Sequence, residues 1–304
     1  MTTTELHPFC SIYLYTSRTL VYNCTNPIDY HASERRSSVI RTTYVREDIL
    51  VLVKTYPNPS KKYIESSCTA GVTRSGEWLR LHPLPFRFLV SEKRFQKYQW
   101  IRTRIKKSTD PRPESHYIDI DSIEVLNESL STENDWAQRR AFLEPLRKRS
   151  LERINDEQDS TNISLGFFQP KRIESLIIEP TAKKWTDAQL TALYQQQFFD
   201  TDKTPVLEKV PFDFKYKYTC DDPKCKGHTQ SIVDWEIYQS WRKWRKQYGD
   251  GWEAKLRHRY EYEMQQRNDT HFIVGTMRDH PKSWIIIGLF YPPLAKKERQ
   301  GVLL

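Results

Sequence analysis

The sequence predicts an α+β fold: a basic curled β-sheet or small barrel, followed by an α/β portion with a Cys/Cys/His knuckle. Three observations carry this expectation. Four strand-like segments joined by short polar connections fill residues 49 to 126. After residue 230 the apolar period changes from two to steps of three and four. Cys220, Cys225 and His228 crowd into nine positions just before that change.

Residues 1–46, with "TNPIDYHASERRSSVIRTT", show no stable period and read as an N-terminal extension, either a loosely packed arm or a basic arm around Arg35, Arg36 and Arg41. The run "ILVLVKTYP" at 49–57 is a near-continuous β-branched stretch ended by Pro57 and Pro59, as expected of a buried strand. "EWLRLHPLPFRFL", "YQWIRTRIKK" and "SHYIDIDSIEVL" alternate and predict three further strands. Residues 131–158 predict a helix with Ser131 or Thr132 at its start, divided or kinked at Pro145. "SLGFFQPKRIESLIIEP" returns to strand, 186–199 predict a short helix, and "PVLEKVPFDFKYKY" is strand again. Val233, Ile237, Trp241, Trp244 and Tyr248 mark one helix, stopped by "GDG" at 249–251. Trp252, Leu256, Tyr260 and Met264 mark a second. "HFIVGT" and "SWIIIGLFYPP" predict closing strands. The expected portions are 47–180, β-rich and nucleic-acid-binding, and 181–304, α+β with a zinc knuckle.

A length of 304 residues suits one large domain or two of ordinary size, and 38% hydrophobic residues suffice for a core. Nine glycines argue against a Gly-rich nucleotide-binding architecture. Five cysteines without a disulfide-framework spacing point to a reducing cytoplasm. Glu5 stands where a signal peptide needs a basic region, and no stretch approaches the roughly 20 apolar residues of a membrane span. A soluble, cytoplasmic protein is expected.

The net charge of +9 directs attention to polyanions, above all DNA. Residues 80–112 hold ten basic residues against two acids. Arg80, Arg87, Lys97, Arg102, Arg104, Lys106, Lys107 and Arg112, with Trp100 interleaved, read as a nucleic-acid-binding face. Charged alternation on a solvated strand is the competing reading. The helical run Arg242, Lys243, Arg245 and Lys246 reads as a solvated face.

Cys220-x4-Cys225-x2-His228 offers ligands that zinc prefers, at a spacing able to wrap one ion. A fourth ligand is expected from Cys68, His258, His271, His280 or an acid of the same loop. In "DWE", Ser231 as N-cap and Asp234 three residues later form a capping-box pattern, leaving only Glu236 without a local reason. Walker loops, Gly-x-Ser-x-Gly elbows and His-Glu-x-x-His helices are missing. What remains is acids at strand ends or in loops: Glu65, Asp110, Glu114 and Asp269 are the candidate catalytic carboxylates.

"KTYPNPSKKYIESSCTAG", "EWLRLHPLPFR" and "CDDPKCKGH…DWE" together resemble a bacterial family of anti-phage DNA glycosylases that excise glucosylated cytosine bases from phage genomes. The resemblance spans residues 47–293. It implies a DNA-acting hydrolase that cleaves the N-glycosidic bond of a modified base, and assigns no catalytic position. The Gly-Gln-Asp-Pro-Tyr-His loop and helix-hairpin-helix of many glycosylases are absent from the sequence. A metal-dependent nuclease and a non-enzymatic nucleic-acid-binding module are the alternatives.

Overall fold

The computed structural model describes residues 43–60, 65–197 and 204–294. The expected basic arm, with Arg35, Arg36 and Arg41, lies outside them. The expected α+β class holds: a closed barrel is followed by a seven-stranded sheet with helices.

The barrel consists of β1 (Val45–Lys54), β2 (Thr69–Thr73), β3 (Trp78–Leu81), β4 (Gln99–Lys107) and β5 (Ser115–Ser129), in the order β1-β2-β3-β5-β4. Strand β1 pairs antiparallel with both β2 and β4, and β3 runs parallel to β5. This is the topology of OB-fold barrels, which take oligonucleotides on the outer face of strands 2 and 3. Alternation divides β1 between two cores. Ile49 and Val51 point inward with Leu79, Leu81, Ile101 and Ile105. Leu50 and Leu52 point outward with Ala70, Val72 and Trp100, and a bulge after Val51 adds Val53 to them.

That outer face is covered. The second sheet has the order β8-β9-β10-β12-β11-β7-β6, from β6 (Arg147–Lys148), β7 (Leu165–Phe168), β8 (Arg172–Pro180), β9 (Phe212–Thr219), β10 (His228–Ile232), β11 (His271–Thr276) and β12 (Trp284–Phe290). Leu165, Phe167, Ile273 and Ile287 pack against the barrel, including Ala70 and Val72 of β2. Gly288 permits a close approach: a Cβ there would stand 2.8 Å from Val53 Cγ2. The opposite face of the sheet buries Phe214, Tyr216, Phe272 and Ile286 against Ile237 and Trp241 of α4 (Trp235–Tyr248) and Leu256 of α5 (Trp252–Arg257). After α5 the helix continues through a π-helical stretch, His258–Glu263. The central strands are therefore buried on both faces, which is why they read as unbroken apolar runs.

Several local expectations change. Strand β2 was not foreseen, because "TAGVT" is short and mostly small. Its Gly71 is needed where a Cβ would meet Leu50 O at 2.4 Å. Past Leu81, Pro83 and Pro85 remove donors, and the expected strand gives way to short 3-10 turns at Phe86–Phe88 and Ser91–Lys93. Pro145 does divide the helical region. Helix α1 (Glu133–Leu143) and α2 (Leu151–Thr161) are separated by a 3-10 turn and β6, Ser150 caps α2, and the short helix expected over 186–199 forms as α3 (Asp187–Gln197). Strands β6 to β8, within the expected first portion, hydrogen-bond into the second sheet. Ser231 lies in β10 instead of capping α4. Asp234 is itself the N-cap, accepting from Glu236 N–H at 2.8 Å.

Glu114 ties barrel to sheet. Its carboxylate, 7% exposed, accepts from Ser164 N–H at 2.8 Å, Ser164 Oγ–H at 2.7 Å and Leu165 N–H at 3.3 Å. Arg80, also buried, donates to Ser164 O at 2.8 Å. Glu114→Ala orphans two enclosed backbone donors at roughly 1–3 kcal/mol each. The expected outcome is a thermal midpoint several degrees lower by circular dichroism; an unchanged midpoint would show that the tie carries no stability.

Candidate active site and metal cluster

The arginines of the basic strand face are paired with acids of the two neighbouring strands. Register places Asp48 of β1 opposite Arg102 and Asp119 of β5 opposite Arg104. Arg102 Nε lies 2.6 Å from Asp48, and Arg104 pairs with Asp119. Such cross-strand pairs stabilise a sheet and use the charge locally. Arg112 binds Asp110 at 2.6 Å, and Arg87 binds Glu65. Lys107 donates to the Arg112 and Pro113 carbonyls, and Lys106 lies over the rings of Tyr44 and Tyr117. Trp100 is buried, with the Arg74 guanidinium 3.8 Å from its ring centre.

The four expected acids are dispersed, each with a partner of its own. Burial acts to raise the Asp110 carboxyl, but hydrogen bonds and charge from Arg112 bring it down to about 2. Asp269 is held by Arg140 and by Gln169 Nε2 at 2.6 Å. Glu114 is the tie described above. Glu65 is 1% exposed, and burial pushes its carboxyl up to about 7 against the pull of Arg87.

The structure instead assembles a cleft of about 360 Å³ at the junction of barrel, sheet and α4. Lys54, the last residue of β1, and Lys97 and Tyr98, just before β4, come from the barrel. Trp235 and Glu236 come from the first turn of α4, and Leu289 and Tyr291 from the end of β12. Trp136 arrives by way of an unusual backbone: Asn134, Asp135 and Trp136 take left-handed φ values of 51°, 55° and 64°. Such values cost about 1–2 kcal/mol per residue. They lay the indole within 5.7 Å of Phe290 and 5.5 Å of Tyr291, ring centre to ring centre.

The polar side of the cleft is built on a buried charge. Asp234 is fully enclosed and accepts from Lys97 Nζ at 3.1 Å, Glu236 N–H at 2.8 Å and Leu289 N–H at 2.9 Å. Burial alone disfavours the Lys97 ammonium, but Asp234 and Glu236 outweigh it and hold its pKa well above the usual lysine value. Glu236 Oε2 is gripped by Lys97 at 3.3 Å and Tyr291 OH at 3.2 Å. Its Oε1 makes no hydrogen bond among the described residues. Facing it, Lys54 lies 4.5 Å from the centre of the Phe95 ring. Burial, reinforced by the charge of Lys97, lowers the Lys54 pKa to about 8. The arrangement offers one accessible, anchored carboxylate, one lysine able to exchange a proton near neutrality, and aromatic walls. Of these residues the sequence had singled out Lys97, for phosphate binding, and Glu236, as the one acid of "DWE" without a local reason.

Cys220, Cys225 and His228 do converge, and Glu152 joins them, with one ligand atom of each lying within 4.8 Å of the others. Glu152 is in the first turn of α2 and was not among the expected fourth ligands. His228 Nε2 stands 2.7 Å from Glu152 Oε1 and 3.5 Å from Cys225 Sγ. Cys220 N–H and Gly227 N–H donate to Cys225 Sγ at 3.1 and 3.4 Å, the supporting bonds that orient a thiolate ligand. The group can hold a metal ion. Cys68 instead accepts from Arg80, His258 pairs with Glu263, and His271 stacks on Phe167. His280 is outside the cluster.

Removing Lys97 tests the cleft's foundation. Lys97→Met leaves Asp234 as an uncompensated buried charge, which costs about 3–5 kcal/mol. Chemical denaturation should show that loss; a change below about 1 kcal/mol would mean that Asp234 is not held as an anion.

Among the described residues no helix is long and apolar enough to cross a membrane. No curated protein matches the chain. Residues 45–145 match a family model described as Domain of unknown function (DUF8758), and residues 147–303 one described as Domain of unknown function (DUF8757). The two matches meet where the 3-10 turn after α1 ends and β6 opens the second sheet. Neither description carries an activity. The second match covers just over half of the sequence, and the chain belongs to the family described as Domain of unknown function (DUF8757).

Proposed function

We propose that the chain is a DNA-acting hydrolase that removes a modified base by cleaving its N-glycosidic bond, with Glu236 as the working carboxylate. The observation that carries this reading is the anchored Glu236, with one oxygen open in a cleft walled by Trp136, Tyr98 and Trp235 and flanked by Lys54. An enzyme acting on a base must take it out of the stack and hold it between flat apolar faces. Base–aromatic stacking contributes about 1–3 kcal/mol per base. A cleft of about 360 Å³ is within the range of small-molecule pockets.

The chemistry follows from the charges. As the bond from C1′ to the base nitrogen breaks, the sugar becomes cationic, and Glu236 stabilises it and accepts a proton from the incoming water. The water oxygen adds to C1′. Lys54 gives its proton to the departing base. Lys97 holds Glu236 by an ion pair at 3.3 Å, and Asp234 keeps Lys97 in place.

The cluster of Glu152, Cys220, Cys225 and His228 is proposed to hold zinc. Thiolates and imidazole suit zinc, and four protein ligands complete a tetrahedral shell of the structural kind. The ion would staple the 220–228 loop to α2. This closed ligand set at the far end of β10 from Glu236 is the reason to favour base excision over a metal-dependent nuclease.

The resemblance in sequence makes DNA containing glucosylated cytosine the first substrate to test, beside unmodified DNA. Strands that break only after alkali report base excision, direct breaks report a nuclease, and binding alone reports a module. Glu236→Gln should lower the single-turnover rate by roughly 10²–10⁴-fold while leaving DNA affinity nearly unchanged. The required form of Lys54 is protonated and its pKa is depressed to about 8, so the rate should fall as pH rises through that value. A Gln variant of wild-type rate would remove Glu236 from the mechanism.

Zinc has a separate test. Elemental analysis of protein purified without added metal should give about one ion per chain, lost when Cys220 and Cys225 are both changed to Ser. Metal that survives the double substitution would place the ion elsewhere.

A further inference from the structure

We infer that the face of α4 bearing Gln239, Lys243 and Lys246 is a phosphate track that leads a DNA strand to the cleft; the identity of the partner rests on the base-excision reading above. Positions 236, 239, 243 and 246 are spaced three, four and three apart, so they form one stripe along the helix. The stripe begins at Glu236, inside the cleft. At a rise of 1.5 Å per residue, Lys243 and Lys246 stand about 10 and 15 Å further along the axis. One strand of duplex DNA advances about 3.4 Å per nucleotide, so those distances correspond to phosphates roughly three and four nucleotides from the base in the cleft.

The stripe borders a basin of about 670 Å³ lined by Glu208, Gln239, Arg242, Lys243, Arg245 and Lys246. Four cations face a single acid there. Glu208 receives Arg242 at 2.9 Å and Arg245 at 3.0 Å. Lys243 and Lys246 are exposed and form no ion pair among the described residues. Gln239 accepts from Arg242 through Oε1, while its enclosed Nε2 has no hydrogen-bond partner among the described residues. A phosphate in the basin neutralises the excess of cations over the one acid. On the barrel strand β4, by contrast, Asp48 and Asp119 occupy the two arginines, Lys107 donates to backbone carbonyls and Lys106 lies over the rings of Tyr44 and Tyr117. A basic helix face read as merely solvated thus has a concave shape, two lysines outside any ion pair among the described residues, and a place on the same helix stripe as Glu236 of the cleft.

The test is the salt dependence of binding to an unmodified duplex oligonucleotide, followed by fluorescence anisotropy. Lys243→Glu with Lys246→Glu should reduce the log–log slope by about 1.8, two contacts at roughly 0.9 each. Arg102→Glu with Arg104→Glu should leave it within error. Lys243→Gln with Lys246→Gln, milder in charge, should fall between the α4 charge reversal and wild type. An unchanged slope in folded α4 variants overturns the track, even if the wild-type protein excises bases. A reduced slope in a protein that excises nothing upholds the track and overturns the assigned chemistry instead.

Discussion

One buried carboxylate joins the three layers of this protein. Asp234 caps α4, accepts the Leu289 N–H of β12 and holds Lys97 from the barrel. A carboxylate removed from water is expensive unless it is paired and hydrogen-bonded, and Lys97 with the two backbone donors meets that need. Because each donor belongs to a different layer, satisfying one charge sets the position of barrel, sheet and helix at their common edge. Trp235 and Glu236 follow Asp234 directly, so the cap that starts the helix also aims its first two side chains into the cleft.

The relation between barrel and sheet explains where a ligand has room. In an OB-type barrel the outer face of strands 2 and 3 is the usual binding surface. Here Ala70 and Val72 of β2 are buried against the second sheet, and Gly288 allows β12 to approach β1. What stays open is the rim, where elements of different origin meet, a common place for pockets. The left-handed turn that carries Trp136 to this rim is strained backbone at a site, the pattern expected where geometry serves binding.

The metal-capable cluster and Asp234 stand at opposite ends of β10. His228 opens the strand, and Asp234 follows its end by two residues, at most roughly 20 Å away along an extended chain. Anchoring both ends fixes the register of β10 between β9 and β12, where only one residue pair, Ile232 with Ile286, joins it to β12. A metal bound by Glu152 and the 220–228 loop would thereby steady the cleft without taking part in its chemistry.

Much of this was legible in the sequence, because it is local. Alternation in "YQWIRTRIKK" and the four-residue steps from Trp252 to Met264 depend only on neighbours along the chain, and each became the expected element. The Cys220, Cys225 and His228 ligands lie on one short loop, so their spacing alone brought them together. What the tertiary structure decided acts through space. Glu152 reaches His228 across 76 positions, Asp48 reaches Arg102 across 54, and Lys97 reaches Asp234 across 137. A count of charge within a window saw the arginines of β4 and not the acids that strand pairing sets against them. Coulomb attraction and desolvation depend on distance and burial, not on separation along the chain. That is why the class of fold could be read from the residues, while the identity of the carboxylate anchored in the cleft emerged only when the chain closed on itself.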